Sequence, residues 1–299
     1  MSRQDIFPTP LIGADVLSAW LGRVVLIDVS FDLADGHAGE AAYRSAHLPG
    51  AFYAHLERDL SAAKTGRNGR HPLPTREAFA ATVGAMGIRA DTPVVVYDRQ
   101  GGMFAARAWW MLRWLGHRAV ALLDGGLPTW QALGYALDSG PGPVVASMDD
   151  AGLRICYPLS AEPGMPTLDA DAVQAGLHQH TLIDARAPAR FRGDIEPLDP
   201  VAGHIPGALN RPFQDNLAVD GRFLSAGQLK AAFDALWART GDLRLPVVHQ
   251  CGSGVTACHN LLAMAVAGFG DTALYPGSWS EWCADPTRPV RTCGVSIGH

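Results

Sequence analysis

Short apolar runs alternate along this chain with segments whose apolar residues recur at helical spacing. Residues 11–21 show the period of an amphipathic helix, and the continuous apolar run over residues 24–28 predicts a short buried strand. Residues 168–177 and 181–184 repeat this order and length much further along. Helices that alternate with strands in this way predict an α/β fold, with a mainly parallel sheet flanked by helices on both faces.

Further landmarks recur in the same order in both halves of the chain. The turn Ala-His-Leu-Pro-Gly-Ala around His47 returns as Gly-His-Ile-Pro-Gly-Ala around His204, and the helical pattern over residues 75–86 returns over residues 225–237. This order indicates a tandem duplication. We therefore predict a first domain, a Gly- and Pro-rich linker and a second domain, at residues 1–139, 140–165 and 166–299.

Cys251 stands at a strand-to-helix junction in the second copy. It follows the apolar run over residues 246–248 and precedes a helical pattern over residues 260–267. Helix N-terminal amides and the positive end of the helix dipole stabilise an anion, and Gly252 and Gly254 allow the backbone to aim N–H groups at one sulfur. We expect Cys251 to be a nucleophile held by amides, and the alternative is an inert buried cysteine beside a glycine turn.

The first copy has no cysteine at the position that matches Cys251. After the matching apolar run over residues 93–97, Asp98 stands where the second copy has Cys251. A carboxylate cannot form the same nucleophile, so we expect the first domain to be catalytically inactive. One half then catalyses, and the other shapes the cleft.

These landmarks resemble the rhodanese-like sulfurtransferases over nearly the whole chain, as a tandem pair of rhodanese-like domains. The active-site loop is similar to that of 3-mercaptopyruvate sulfurtransferases, whereas thiosulfate-preferring rhodaneses carry Arg and Lys after the cysteine; it consists of Cys251, Gly252, Ser253, Gly254, Val255 and Thr256. The resemblance implies that Cys251 takes a sulfane sulfur from 3-mercaptopyruvate as a persulfide and releases pyruvate. Cyanide or a thiol would then accept the sulfur, and thiosulfate is the alternative donor.

The resemblance also implies residues that bind the anionic donor. Arg190, in an Arg-Phe-Arg-Gly segment, matches the arginine that holds the donor carboxylate in this family, a role that suits the planar guanidinium. Many such enzymes carry a second arginine further on, but here that segment is acidic around Asp199. Arg186 or Arg192 could compensate, and a solvated pair of surface arginines is the alternative for this segment.

His47 resembles a first-domain histidine proposed to relay protons in this family with the loop serine, here Ser253. Candidate acids for the relay are Asp32, Asp35 and Glu40, and none has a convincing spacing. Because the same turn recurs around His204, the alternative is that the histidine only closes the turn.

Composition and charge limit the classes of binding partner that we expect. The net charge of -5 and the pI near 6.1 argue against nucleic acid or an anionic membrane. The beginning of the chain lacks a basic segment followed by an apolar core, so we expect no secretory signal and a cytoplasmic protein.

We expect no cofactor, and we expect a thioredoxin-like protein or a low-molecular-weight thiol as the sulfur acceptor. The odd number of cysteines without C-x-x-C spacing suits reduced thiols, of which we expect three to be inert: Cys156, Cys283 and Cys293.

Three other functions are disfavoured. Cys251, Cys258 and His259 lack the short spacing and the fourth ligand of a metal site. A cysteine phosphatase of this fold needs C-x5-R, but Ala257 takes the place of the arginine. A non-catalytic rhodanese-like binding module would not require Cys251 in an intact glycine loop. Three tryptophans at helical spacing, Trp109, Trp110 and Trp114, indicate packing in a core or between domains.

Overall fold

The computed structural model describes residues 6–144, 157–239 and 245–293, which form two compact units. The first unit contains residues 6–62, 74–144, 157–165 and 217–223, and the second contains residues 63–73, 166–216, 224–239 and 245–293. Two short segments, 63–73 and 217–223, thus pack outside the half in which the predicted boundaries place them. Part of the predicted linker, residues 145–156, lies outside the described residues, and residues 157–165 pack in the first unit.

The first unit is built on a five-stranded parallel sheet. Its strands lie in the order β1-β5-β4-β2-β3 and comprise β1 (Leu11–Ile12), β2 (Val25–Asp28), β3 (Phe52–Tyr53), β4 (Val94–Tyr97) and β5 (Val120–Leu123). The helices between them are α1 (Ala14–Ser18), α2 (Ala38–Ser45), α3 (Arg76–Ala85), α4 (Ala105–Leu115) and α5 (Gly126–Ala132).

Successive residues of these strands point to opposite faces of the sheet, so helices cover both faces. On one face, Leu26 and Val95 belong to a core that includes Trp130 of α5. On the other face, Ile27 lies beside Phe79 of α3 and Leu112 of α4. The three tryptophans of α4 are buried, as predicted, with side chains no more than 8% exposed. The predicted α/β architecture is therefore confirmed in this unit.

The second unit repeats the plan with a four-stranded parallel sheet in the order β7-β6-β8-β9. Its strands are β6 (Thr181–Asp184), β7 (Leu209–Asn210), β8 (Val247–Gln250) and β9 (Ala273–Leu274). The helices are α6 (Ala170–Ala175), α7 (Pro188–Arg192), α8 (Ala226–Trp237), α9 (Ala257–Val266) and α10 (Ser278–Trp282), with one 3-10 turn at Phe213–Asn216. Within the described ranges, no helix is long and apolar enough to cross a membrane.

The strand that leads to Cys251 contains a fully buried imidazole. His249 Nε2 lies 3.0 Å from the sulfur of Met264 in α9, and Nδ1 has no hydrogen-bond partner among the described residues. Burial lowers the pKa of His249 to about 3, so the folded chain holds this side chain neutral at ordinary pH.

This histidine makes the stability of the fold depend on pH. Because its pKa is lower in the folded state than in the unfolded one, its contribution is present above about pH 6.5 and is lost as the pH falls towards 3. Between pH 7.5 and pH 5 the loss amounts to about 2 kcal/mol of unfolding free energy. We expect the His249→Leu variant to lose that much less than the unmodified chain between these two pH values. Urea unfolding at both would measure it, and equal losses would contradict the prediction.

Candidate active site

Cys251 lies directly after β8, in a loop that is anchored to the beginning of α10. Its side chain and backbone are buried, with 1% of the residue exposed. Its N–H donates to Ser278 Oγ (3.1 Å), and its carbonyl accepts from the N–H of Trp279 (3.0 Å). Ser278 has a φ of 55° and is the one described non-glycine residue with a positive φ. A strained residue that bonds to the cysteine backbone indicates that the position of Cys251 is tightly fixed.

Gly254 allows the loop to turn where no other residue would fit. Its φ is +74°, and a Cβ at this position would collide with the backbone carbonyl of Pro276. The turn brings the N–H of Ser253 to 3.5 Å from the sulfur of Cys251. One amide of the loop therefore already faces the sulfur.

In the matching loop of the first unit, backbone amides surround the carboxylate of Asp98. The two carboxylate oxygens of Asp98 accept four backbone hydrogen bonds of 2.8–2.9 Å, from the N–H groups of Gln100, Gly102, Phe104 and Ala105. These donors stand two, four, six and seven residues after the acid. A strand-to-helix loop of this design thus surrounds one buried anion with amides.

The loop of the second unit has some of the same donors without the carboxylate. The N–H of Ser253, two residues after the cysteine, faces the sulfur as that of Gln100 faces Asp98. The amides four and six residues after it, of Val255 and Ala257, donate to no acceptor in the described part of the chain. By position they correspond to Gly102 and Phe104, whose amides bind Asp98 in the first unit.

Ser253 is paired with a histidine that sequence analysis did not identify. Its hydroxyl shares a hydrogen bond of 2.8 Å with Nδ1 of His71, and both residues are buried. His71 belongs to the segment 63–73, which packs within the second unit. The connection from β3 to α3, residues 54–75, has no regular secondary structure, and a loop of that length is commonly functional. Its length was the signal that could have directed attention to His71.

Arg190, at the end of α7, lies next to the loop as part of a cluster of charges. Its Nη2 and Nε bond to the carboxylate of Glu196 (2.7 and 3.2 Å), and Nη2 also lies 3.2 Å from Asp199. A Cβ on Gly252 would stand 3.4 Å from Nη1 of Arg190. The predicted donor-binding arginine is therefore adjacent to the cysteine loop, but it is already paired with two acids.

The other two candidate arginines occupy different surroundings. The side chain of Arg186 is 1% exposed and bonds to Asp184, Glu196 and the carbonyl of Gly203. Burial alone would lower the pKa of Arg186. The charges of Asp184, Glu196 and Cys251 nevertheless hold that pKa above its ordinary value.

Arg192 points away from this cluster into an exposed pair with Asp194, at 2.7 Å. The structure therefore places Arg190 at the loop, Arg186 in the buried ion-pair cluster and Arg192 on the surface. Sequence spacing could not distinguish these three environments.

Both halves of the chain match one family profile, which is described as the rhodanese-like domain. The matches cover residues 14–133 and 169–285. The chain belongs to the rhodanese-like family. The family predicted from the loop and the repeated landmarks is thereby confirmed.

Relatives of this rhodanese-like chain are similar over most of its length. Two bacterial relatives carry provisional names. A Pseudomonas aeruginosa protein, 48% identical over 94% of this chain and 98% of its own, is named a 3-mercaptopyruvate sulfurtransferase. A Mycobacterium tuberculosis protein, 47% identical over 89% of this chain and 90% of its own, is named thiosulfate sulfurtransferase SseB. The solved 3-mercaptopyruvate sulfurtransferase of Leishmania major has a TM-score of 0.81 at 28% identity, covering 93% of this chain and 75% of that one.

The first-domain histidine of this rhodanese-like chain packs within its own turn. Nδ1 of His47 bonds to the carbonyl of Tyr43 (2.8 Å), and the two rings stack with centroids 4.0 Å apart. His204 makes the same contacts with Phe191, at 2.8 and 4.0 Å. Both histidines thus close equivalent turns, and the histidine that contacts Ser253 is His71.

None of the three acids proposed to orient His47 contacts it in the described residues. Asp32 and Asp35 accept local backbone hydrogen bonds in an exposed turn, and Glu40 pairs with Arg44. A proton relay through His47 therefore gains no support from these contacts.

The remaining cysteines have distinct environments. Cys258 is buried in α9 and donates its S–H to the carbonyl of Gly254 (3.4 Å). Burial, with a smaller effect of Asp199, raises the pKa of Cys283 to about 11. Cys293 is exposed. Cys156 lies outside the described residues.

Proposed function

We propose that this rhodanese-like chain is a sulfurtransferase in which Cys251 carries a sulfane sulfur as a persulfide. The observation that carries the proposal is the pair of matching loops. One binds the carboxylate of Asp98 with four amides, and the other presents a cysteine next to amides that have no acceptor in the described residues. Preorganised donors of this kind stabilise developing negative charge without rearrangement.

The transfer would proceed in two displacements. The thiolate of Cys251 attacks the donor sulfur and forms an S–S bond, while the bond between that sulfur and the rest of the donor breaks. The electron pair of the broken bond leaves with the donor residue. A thiolate or cyanide then attacks the outer sulfur, and the electron pair of the S–S bond returns to Cys251. The amides of Val255 and Ala257 would bind the outer sulfur of the anionic persulfide.

We propose 3-mercaptopyruvate as the preferred donor. When its C–S bond breaks, the electron pair remains on carbon as the enolate of pyruvate, which must take up a proton. The hydroxyl of Ser253 would deliver that proton. It contacts His71, and the N–H of the same residue lies 3.5 Å from the sulfur of Cys251. The Pseudomonas aeruginosa relative and the Leishmania major enzyme are named for this donor, whereas the Mycobacterium tuberculosis relative is named for thiosulfate.

Thiosulfate is the second candidate donor, and one observation favours it. The loop carries no cation of its own, yet guanidinium groups of Arg70 and Arg190 lie beside Gly252. They could bind a compact dianion. In that reaction sulfite leaves with the electron pair and no proton is needed on carbon.

The two donors predict different effects of the same substitution. With 3-mercaptopyruvate, we expect Ser253→Ala to lower kcat by about 10²-fold, because the enolate loses its proton source. With thiosulfate, kcat should change by less than about 3-fold, since the leaving group takes up no proton. Steady-state rates with cyanide as the common acceptor would measure both, with thiosulfate as the internal control. Equal losses with both donors would contradict the proton-donor role, and a higher kcat/KM for thiosulfate in the unmodified chain would contradict the proposed preference.

The acceptor in a cell would be a thiol, either a thioredoxin-like protein or a small thiol, since a persulfide transfers its outer sulfur readily to a thiolate.

Sulfur transfer of this kind requires reduced cysteines. The four cysteines in the described ranges are free thiols, which supports a reducing compartment such as the cytoplasm.

A further inference from the structure

Arg211, which directly follows β7, is a buried cation without an acid partner. It is 8% exposed and forms no ion pair with any acid of the described residues. Arg186, which is also buried, is by contrast paired with Asp184 and Glu196. Burial lowers the pKa of Arg211, but an arginine stays charged at ordinary pH. A buried charge without a counter-charge costs free energy, so the surroundings of Arg211 favour an anion.

Neutral groups hold the guanidinium group of Arg211 in one orientation. Nη2 donates to the carbonyl of Asp215 (3.2 Å) and to Oδ1 of Asn216 (2.9 Å). Asn216 donates in turn to Asn260 (2.6 Å), which donates to the carbonyl of Arg211 (2.9 Å). The carbon atom of the guanidinium group lies 4.6 Å from the centre of the Phe233 ring. The group is therefore fixed before a ligand binds, which lowers the entropic cost of binding.

The other two nitrogens of this guanidinium group have no acceptor. Nε and Nη1 of Arg211 donate to no atom of the described residues. Nε is completely enclosed by the protein. Nη1 is therefore the nitrogen that a ligand can reach.

Arg211 lines a cavity of about 250 Å³ beside α8. Arg239, two residues after the end of α8, lines the same cavity, and its side chain has no partner in the described residues. Asp215 is the one acid among the described residues of the lining, so two positive charges and one negative charge leave a net charge of +1. The wall that α8 contributes is apolar and consists of Ala232, Ala235 and Leu236. A cavity of this volume suits a ligand smaller than a drug-sized molecule.

This cavity is separate from the site at Cys251. Arg186 packs on Trp279 of α10, with its guanidinium carbon 4.7 Å from the ring centre, whereas Arg211 packs on Phe233 of α8. Among the described residues, none that lines the cavity belongs to the Cys251 loop, to α7 or to α10. The proposed sulfur transfer uses none of them.

We propose that this cavity binds a small monocarboxylate that carries a short apolar chain. The carboxylate accepts from Nη1 of Arg211 and from the guanidinium group of Arg239, because a planar carboxylate matches the N–H groups of guanidinium. Its single negative charge balances the net charge of the lining. The chain lies on the apolar wall that α8 contributes. This site goes beyond the proposed function, since it is a second binding site away from Cys251.

The first test is calorimetric titration with butyrate and with acetate at constant ionic strength. We expect butyrate to bind the unmodified chain about 10-fold more tightly than acetate, because each of its two additional methylene groups strengthens binding by up to about 4-fold when it leaves water. Absence of butyrate binding at about 10 mM would overturn the proposal. Tighter binding of inorganic phosphate than of butyrate would show a preference for a compact, more highly charged anion and would overturn the proposed class of ligand.

The second test locates the bound butyrate. We expect Arg239→Ala and Arg211→Gln each to weaken butyrate binding about 10-fold or more, because a charge-assisted hydrogen bond is lost. Arg239 is exposed, so its variant keeps the test valid if Arg211→Gln does not fold. The control is Lys230→Ala, which removes one positive charge from α8 outside the cavity, where Lys230 pairs with Asp234. Equal weakening in the control would show an effect of net charge alone and would overturn the proposal.

A further variant tests whether butyrate binds beside the Cys251 loop instead. We expect Arg190→Ala to bind butyrate within about 2-fold of the unmodified chain, because Arg190 lies outside the cavity. Binding that is lost in Arg190→Ala and retained in Arg239→Ala would place butyrate at the Cys251 loop and overturn the assignment. The titration needs no turnover, so its result does not depend on the proposed function.

Discussion

We expect that replacing Cys251 by serine abolishes sulfur transfer and leaves the fold intact. A serine hydroxyl remains protonated near neutral pH and forms no persulfide, so we expect the rate to fall by at least about 10³-fold with either donor. The substitution exchanges one atom, and within the described residues the side chain makes one long hydrogen bond, from the N–H of Ser253 (3.5 Å). Steady-state rates and a thermal unfolding curve would measure the two parts of the prediction.

The matched control is Cys258→Ser. Cys258 is also buried, lies seven residues further on and contacts the same loop through the carbonyl of Gly254, where a hydroxyl can replace its S–H. We expect this variant to keep most of its activity. Turnover of Cys251→Ser near that of the control would show that another residue carries the sulfur.

The second large effect is expected for Gly254→Ala. A Cβ here would collide with the backbone carbonyl of Pro276, and the φ of +74° is itself unfavourable for alanine. Because the colliding atoms of Pro276 belong to the backbone, no side chain can rotate away. The loop itself must move, and the amides beside Cys251 move with it. We expect a loss of about 2–4 kcal/mol in unfolding free energy and a fall of at least about 10²-fold in kcat. Chemical denaturation and steady-state kinetics would measure these changes.

Gly268 offers a control for backbone strain alone. It follows the other end of α9 with a φ of +80°, but a Cβ there meets nothing within 4 Å. Gly268→Ala should therefore cost only about 1–2 kcal/mol and leave kcat unchanged. If the two variants lose the same stability and activity, the contact with Pro276 does not control the loop.

The parts of this structure that sequence predicted are those set by local pattern. The apolar runs that became β4 and β8, and the cysteine at the junction of β8 and α9, follow from hydrophobic periodicity and from the glycines of the loop. Asp98 was matched to Cys251 because the duplication preserves order along the chain. The structure adds that Asp98 occupies an amide cradle, which sequence spacing alone could not show.

The parts that sequence did not predict depend on contacts between distant residues. His71 and Arg70 contact the Cys251 loop and its neighbour Ser280 from a segment about 180 residues earlier in the chain. Hydrophobic periodicity predicts helices and strands, but it does not predict contacts between distant segments. His47 was proposed because it resembles a first-domain histidine of the family, whereas the recurrence of its turn pointed to a packing role. The packing of His47 on Tyr43, like that of His204 on Phe191, agrees with the packing role.

Asp199 lies in the acidic segment where many such enzymes carry a second arginine, and it pairs with both Arg70 and Arg190. Its role could not be read from composition, because the charge that it balances includes Arg70, which lies far away in the sequence. Ion pairs of this kind are set by the tertiary fold, so sequence reveals the charges but not their pairing.

The central claim, that Cys251 receives the sulfur, is tested most directly by mass spectrometry of the protein after a single exposure to 3-mercaptopyruvate. We predict a gain of one sulfur atom, located on the proteolytic peptide that contains Cys251, and its loss as thiocyanate when cyanide is added. No gain, or a gain that maps to the exposed Cys293 and persists in Cys251→Ser, would contradict the account.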